Sequence, residues 1–113
     1  MNSVEIMGRL TKDPALFGEG EKRIAKYTLA IDRRKEGADF IPCVQFGKGA
    51  DFAEKYLHKG QKIAVTGALS SGSYEKDGEK RYTLDVIVYN VDFCEKKTEE
   101  VDISDVLEAI PFD

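Results

Sequence analysis

Two phenylalanines and a lysine in one short stretch have the spacing of a surface that binds unpaired bases. The stretch is ADFIPCVQFGK, residues 38–48, and its pattern predicts a β-strand. Phe40 and Phe46 are an even number of positions apart, so both rings lie on one face, roughly 20 Å apart at ~3.3 Å per residue. Lys48 follows at the strand's end. Rings on a common face with cations nearby form a stacking platform for bases.

The same stretch also fits a strand that is buried on both faces. Pro42 and Val44 lie between the two rings, whereas Ile41, Cys43 and Gln45 point the other way. Pro42 cannot donate a hydrogen bond to a neighbouring strand, so it predicts a β-bulge or a locally unpaired edge. The pattern by itself leaves the stacking surface and the buried strand as alternatives.

Alternating apolar and polar residues predict the sheet that positions this stretch. Five strands are predicted, over residues 3–10, 21–34, 38–48, 61–74 and 80–93. Residues 11–20 contain Asp13-Pro14 and two glycines, which is typical of a loop. Asp77-Gly78 predicts a tight turn between the last two strands.

One helix is predicted, over residues 51–58. Asp51 and Glu54 have the spacing of a capping box, and Lys59-Gly60 supplies a C-terminal stop. The apolar stripe predicted to face the core is Phe52, Ala53, Tyr56 and Leu57. A helix between the third and fourth strands can close one end of a five-stranded barrel, which is the arrangement of the oligonucleotide- and oligosaccharide-binding (OB) fold.

The charge is divided unevenly along the chain. Residues 1–97 hold all 17 basic residues and 15 acidic ones, a net charge of +2. Residues 98–113 hold the other six acids and no base, a net charge of −6. We interpret residues 1–97 as one domain and residues 98–113 as an acidic tail. No apolar run is long enough to span a membrane and no signal peptide is recognisable, so a cytoplasmic location without membrane contact is expected.

Few residues are suited to catalysis or metal binding. His58 is the only histidine, and Cys43 and Cys94 match no metal-ligand spacing. The sequence has no phosphate-binding glycine loop and no pairing of a nucleophile with a base. It therefore predicts a protein that is not an enzyme and that has no metal and no cofactor.

Five blocks in order resemble the family of bacterial and phage single-stranded DNA-binding proteins. The blocks are MNSVEIMGRLTKDP, DFIPCVQFGK, YLHKGQKIAVTGAL, SYEKDGEKRYTLDVIV and the terminal IPF. The resemblance implies an all-β, five-stranded OB-fold barrel with Greek-key order and one helix, usually assembled as a homotetramer. It also implies binding of single-stranded DNA during replication, recombination and repair, with little sequence preference and no catalysis.

The resemblance assigns roles to individual residues. It implies that Phe40, Phe46 and Tyr74 stack on bases and that Lys48 contacts the DNA backbone. Arg9, Arg33 and Arg34 occupy positions that are commonly basic or polar on the DNA side. Lys35 belongs to the same basic run, and Arg81 either binds DNA or pairs with a glutamate of its hairpin. The predicted nucleic-acid-binding residues are Arg9, Arg33, Arg34, Lys35, Phe40, Phe46, Lys48, Tyr74 and Arg81.

The tail has two interpretations. Its apolar residues Ile103, Val106, Leu107 and Ile110 have the spacing of a short amphipathic helix. The resemblance implies instead a flexible acidic peptide whose Ile110, Pro111 and Phe112 recruit DNA-processing proteins. An alternative function for the whole chain is an OB-fold protein-interaction module with weak or no DNA binding.

Overall fold

A computed structural model describes residues 1–95, in six strands and one α-helix. The strands are β1 Val4–Leu10, β2 Ala15–Phe17, β3 Ile24–Asp32, β4 Ala38–Phe46, β5 Lys62–Lys76 and β6 Glu79–Phe93, and the helix is α1 Lys48–Tyr56. A short 3-10 turn, Gly20–Lys22, precedes β3. The predicted tail and its residues Ile110, Pro111 and Phe112 lie outside the described residues.

The five long strands close into a ring. Their order is β1-β5-β6-β4-β3, and β1 pairs back to β3 where Arg9 faces Ala30 and Leu10 faces Leu29. The β4–β6 pairing is parallel and the others are antiparallel, with β2 added outside β3. The predicted fold class, an all-β OB fold with one helix between the third and fourth long strands, is confirmed.

The ring of strands closes at Gly8, and its interior is filled mainly by branched apolar side chains. A Cβ atom on Gly8 would lie 2.5 Å from the backbone oxygen of Ala30, so β1 can cross β3 there only without a side chain. The largest fully buried side chains are Leu10, Leu29, Ile63, Val65, Val86 and Cys43. Ala50, Ala53 and Leu57 belong to the same core, so α1 and the residue that follows it close one end of the ring.

The core contains one hydrogen-bonded polar group that ties the helix to two strands. The Tyr27 hydroxyl of β3 donates to Gln45 Oε1 of β4 over 2.6 Å, and Gln45 Nε2 donates to the Gly49 carbonyl of α1 over 3.0 Å. Burial raises the pKa of the Tyr27 hydroxyl well above its ordinary value. Burial likewise raises the pKa of the Cys43 thiol to about 12, and both Cys43 and the exposed Cys94 are free thiols.

The predicted start of the helix is wrong. Helix α1 begins at Lys48, directly after Gly47 with its φ of 56°. Asp51 and Glu54 form no capping box, because both lie inside a helix whose N-cap is Gly47. Their carboxylates pair with Arg23 of the segment before β3: its Nη1 donates to Asp51 over 2.9 Å, and its Nη2 pairs with Glu54. The cation that binds these acids lies 28 and 31 residues away in sequence, where a local capping pattern cannot show it.

Two further expectations are wrong, and the structure decides a third between its two alternatives. The predicted loop 11–20 contains the short strand β2. Of the four residues predicted to face the core, Tyr56 is 44% exposed, whereas Ala53 and Leu57 are buried and Phe52 packs against the core. The Phe52 ring centroid lies 5.1 Å from that of Tyr56. The β3–β4 register runs without a shift past Pro42, so there is no bulge, and the pairing of β4 with β6 covers only Cys43 and Val44. Pro42 therefore lies at a locally unpaired edge, which was one of the two predicted outcomes.

Candidate nucleic-acid interface

Strand β4 presents both predicted rings to solvent. Phe40 is 64% exposed and Phe46 is 51% exposed, whereas Cys43 and Gln45 on the opposite face are buried. A strand buried on both faces is thus ruled out for this stretch. The period of two residues puts both aromatic rings on one face, as predicted, and the structure shows that this face is the outside of the closed sheet.

Tyr74 lies on the same outer face, in the long β5–β6 hairpin. Val44 of β4 faces Ile87 of β6, and Ile87 in turn faces Ala68 of β5. Directly opposed residues share a face, and alternate residues from Ala68 onward keep it, so Tyr74 points to the side that carries Phe40 and Phe46. Tyr74 is 52% exposed and faces Arg81 across the hairpin.

The parallel pairing of β4 with β6 sets the order of these rings. It directs the turn of the β5–β6 hairpin toward the N-terminal end of β4, where Phe40 lies. Phe46 and Lys48 lie at the other end of β4, at the junction with α1. Tyr74, Phe40 and Phe46 therefore follow one another along a single outer face, which we call the aromatic face.

Arg9 lies at the edge of the aromatic face and is already paired. It faces Ala30 of β3, which faces Phe40. Its Nη1 and Nη2 atoms donate to the two carboxylate oxygens of Glu95 over 2.6 and 2.9 Å. These hydrogen bonds raise the pKa of Arg9 and lower the pKa of the Glu95 carboxyl. To bind a phosphate, Arg9 would have to release the Glu95 carboxylate.

The predicted cations of the β3–β4 loop differ in their partners. Arg33 Nε donates to Asp39 Oδ1 over 2.9 Å, and Arg33 Nη2 lies 2.8 Å from the same oxygen in an ion pair. Arg34 and Lys35 are exposed and form no ion pair with another part of residues 1–95. The loop therefore offers two cations that need not leave a carboxylate before they contact DNA.

The remaining two predicted cations flank the rings from opposite ends. Lys48 is exposed at the first position of α1, two residues after Phe46. Arg81, beside Tyr74, is 3.3 Å from Glu79 in an exposed ion pair of the hairpin, as one of its two interpretations predicted. Exposed pairs of this kind contribute little stability and exchange readily.

The sequence missed two residues of this surface. Strand β2 brings Phe17, 52% exposed, into the row of Ile24 and Phe46, because Phe17 faces Ile24 and Ile24 faces Phe46. The Lys26 amine lies 5.6 Å from the centroid of the Phe17 ring. A three-residue strand offers too little alternation to be recognised between Pro14 and two glycines.

Residues 1–95 offer neither a metal-binding cluster nor a membrane-spanning helix. That part of the chain holds no group of three or more His, Cys, Asp or Glu side chains able to bind a metal ion together. Among the same residues, no helix has the length and apolar character needed to cross a membrane.

Comparison with known proteins gives a consistent result. Residues 1–94 match the sequence model of the single-strand binding protein family. Over 100 residues the chain is 47% identical to a single-stranded DNA-binding protein of Clostridium perfringens, in a match that covers 84% of this chain and 67% of that protein. A Fusobacterium nucleatum protein of the same name is 43% identical over 107 residues, covering 87% and 70%. Single-stranded DNA-binding protein 1 of Streptococcus pyogenes is 32% identical over 119 residues, covering 98% and 92%.

Proposed function

Because the chain belongs to the single-strand binding protein family, we propose that it binds single-stranded DNA on the aromatic face, with little sequence preference and without catalysis. The observation that carries this proposal is the common orientation of Phe40, Phe46 and Tyr74, each more than half exposed. Large rings left in water give up the stabilisation that burial would supply. Every base has a π-face, so a row of such rings accepts bases of any identity.

The cations around the rings are proposed to hold the DNA backbone. Lys48, Arg34 and Lys35 contact phosphates directly, whereas Arg9, Arg33 and Arg81 first release Glu95, Asp39 and Glu79. Contacts to phosphate release counterions, so binding weakens as salt rises, with a log–log slope of about −0.7 for each phosphate neutralised. A chain with a net charge of −4 can bind DNA in this way because its cations gather on one surface.

Self-association as a homotetramer belongs to the same proposal. Strand β1 pairs with β3 only at Arg9 and Leu10, so its edge from Val4 to Gly8 has no partner strand on that side among residues 1–95. An open edge invites pairing with a second copy. A second apolar surface lies on the hairpin face opposite Tyr74, where exposed Leu69, Tyr82 and Leu84 share one side. Two such surfaces support an assembly of four chains rather than two.

The cellular role proposed is coating of single strands in the cytoplasm during replication, recombination and repair. The acidic tail, residues 98–113, is proposed to recruit DNA-processing proteins through Ile110, Pro111 and Phe112. Short apolar anchors next to acidic residues suit a basic-rimmed pocket on a partner. The alternative, a protein-interaction module that binds DNA weakly or not at all, keeps the same fold and leaves the aromatic face without a nucleic-acid ligand.

Titration with fluorescently labelled oligo-dT, beside a duplex of equal length, tests the proposal. We expect tight binding of oligo-dT, weak binding of the duplex and a linear fall of log affinity with log salt concentration. Oligo-dA is a control for sequence preference and should bind with similar affinity. Equal affinity for duplex and single strand, or no binding of oligo-dT at low salt, would reject the proposal in favour of the interaction module.

A further inference from the structure

Beyond the residues assigned above, we propose that the DNA strand continues past Phe46 onto β2, where Phe17 stacks on one further base while Lys26 contacts its phosphate. This proposal rests on the proposed function, because it extends the same surface. It adds a fourth ring and a further cation to the aromatic face, at the end away from Tyr74.

The first observation in support is the direction in which the side chains of β2 point. Leu16 faces Ala25, which is fully buried, and Leu16 packs against the core. Side chains alternate along a strand, so Phe17 points to the outside. Phe17 and Phe46 both face Ile24 from opposite sides and are 52% and 51% exposed. The two rings thus lie in one row across three neighbouring strands.

The spacing of the row suits two separate bases. Neighbouring strands are about 4.8 Å apart, which puts the backbones beneath Phe17 and Phe46 about 10 Å apart. Stacked bases in one strand of a duplex are separated by about 3.4 Å, so two rings this far apart engage different bases of a strand that has been spread out. The turn of the β5–β6 hairpin lies toward the other end of β4. Phe17 therefore lengthens the path instead of duplicating a ring already in use.

Charge around Phe17 fits a nucleotide better than an apolar partner. The Lys26 amine lies 5.6 Å from the ring centroid, and Lys48 follows Phe46 at the start of α1. Within residues 1–95 neither amine forms an ion pair with a carboxylate. A base that stacks on Phe17 brings its phosphate within reach of Lys26, which exchanges a weak contact with the ring for a charge-assisted hydrogen bond.

The absence of tryptophan from the sequence permits a direct test. Phe17→Trp introduces a single indole, whose fluorescence is quenched when a base stacks on it. We expect oligo-dT to quench Phe17→Trp and also Phe46→Trp, which serves as the positive control. Tyr56→Trp, at an exposed ring of α1, is the matched negative control and should stay unquenched.

Affinity supplies an independent measurement. Phe17→Leu keeps an apolar side chain on the edge strand and removes the ring, so melting should be unchanged. Loss of one stacked base should weaken oligo-dT binding about fivefold or more. The shortest oligo-dT that reaches full affinity should also become shorter in this variant.

The possible failures are distinguishable. If oligo-dT binds and quenches Phe46→Trp but leaves Phe17→Trp fluorescence and Phe17→Leu affinity unchanged, Phe17 is outside the path and only this inference is wrong. If the unaltered protein fails to bind oligo-dT, the proposed function falls and this inference falls with it.

Discussion

The rings proposed to stack on bases differ from the rings that pack in the core. Phe40, Phe46 and Tyr74 point away from the core and are each more than half exposed, so they contribute less to folding stability than a buried ring does. Phe52 is the contrasting case, because its ring packs against the core cluster. Substitutions at the two kinds of ring should therefore separate affinity from stability.

Replacing Phe40, Phe46 or Tyr74 singly with alanine should weaken oligo-dT binding by ~1–3 kcal/mol, the usual contribution of one stacked base. The melting temperature should change little. Phe52→Ala should do the reverse, lowering the melting temperature while the folded fraction keeps its affinity. Fluorescence anisotropy and thermal melting measure the two effects. A Phe40→Ala variant that unfolds without any change in affinity would contradict the stacking role of that ring.

A single carboxylate restrains Arg9. Glu95 accepts hydrogen bonds from Arg9 Nη1 and Nη2, which lower the pKa of its carboxyl and occupy the guanidinium that a phosphate would have to contact. Glu95→Gln should release Arg9, raise oligo-dT affinity at low salt and steepen the log–log salt slope by up to about 0.7. Glu5→Gln is the matched control, because the substitution removes an equal charge and Glu5 is exposed on the same strand as Arg9. Equal changes in both variants would show that only net charge matters.

At the scale of elements, alternation predicted most of what positions the candidate site. The period of two residues correctly separated Phe40 and Phe46 from buried Cys43 and Gln45, although Val44 on the same face as the rings is buried too, and it predicted all five long strands. Strand β2 was missed because three residues between a proline and glycines carry no usable period. Its place beside β3 depends on tertiary pairing, which a local pattern does not contain.

The start of the helix was also predicted wrongly, because a local pattern does not contain tertiary contacts. Asp51 and Glu54 have capping-box spacing, yet the helix begins earlier, at Lys48, and both carboxylates pair with Arg23. A guanidinium that reaches two acids on one helical face forms charge-assisted hydrogen bonds, which are stronger than neutral ones. The partners of Arg9 and Arg33 were equally invisible in the sequence, because Glu95 and Asp39 are brought to them by the fold.

The next prediction concerns the β3–β4 loop, in which two neighbouring arginines are changed together. Reversing Arg33 and Arg34 to glutamate should weaken oligo-dT binding and flatten the log–log salt slope by up to about 1.4, the contribution of two phosphates. Asp39 adds to the effect, because it loses the partner that neutralises it. As a control, the double variant Lys55→Glu/Lys59→Glu, in the last turn of α1 and the loop after it, changes the net charge by the same amount away from the rings. A salt series in which the loop variant keeps the original slope would remove this loop from the interface.

For the whole molecule, we expect light scattering to give a mass four times the 12.6 kDa of one chain. The reasons are the open edge of β1 and the apolar side of the hairpin, which are separate surfaces. Leu84→Lys places a charge on the hairpin surface alone and should reduce the assembly to two chains. A monomer at micromolar concentration in the unaltered protein would contradict the tetramer.

The acidic tail provides the last prediction, which concerns competition within the molecule. Residues 98–113 carry six acids and no base, so they can occupy the cations that DNA would contact. Every described strand and the helix end before residue 95, so deleting 98–113 should leave the melting temperature unchanged. Oligo-dT affinity should stay equal or rise, mainly at low salt, where repulsion between tail and DNA is least screened.

The same deletion separates the two interpretations of the tail. If Ile103, Val106, Leu107 and Ile110 form a helix packed on the domain, their removal exposes apolar surface and lowers the melting temperature. A control variant that replaces the six tail acids with their amides keeps these apolar residues and should reproduce only the gain in DNA affinity. Binding of DNA-processing proteins should be lost in the deletion, because it removes the anchors Ile110 and Phe112. A clear loss of both melting temperature and DNA affinity would make the tail part of the folded domain and would reject its recruiting role.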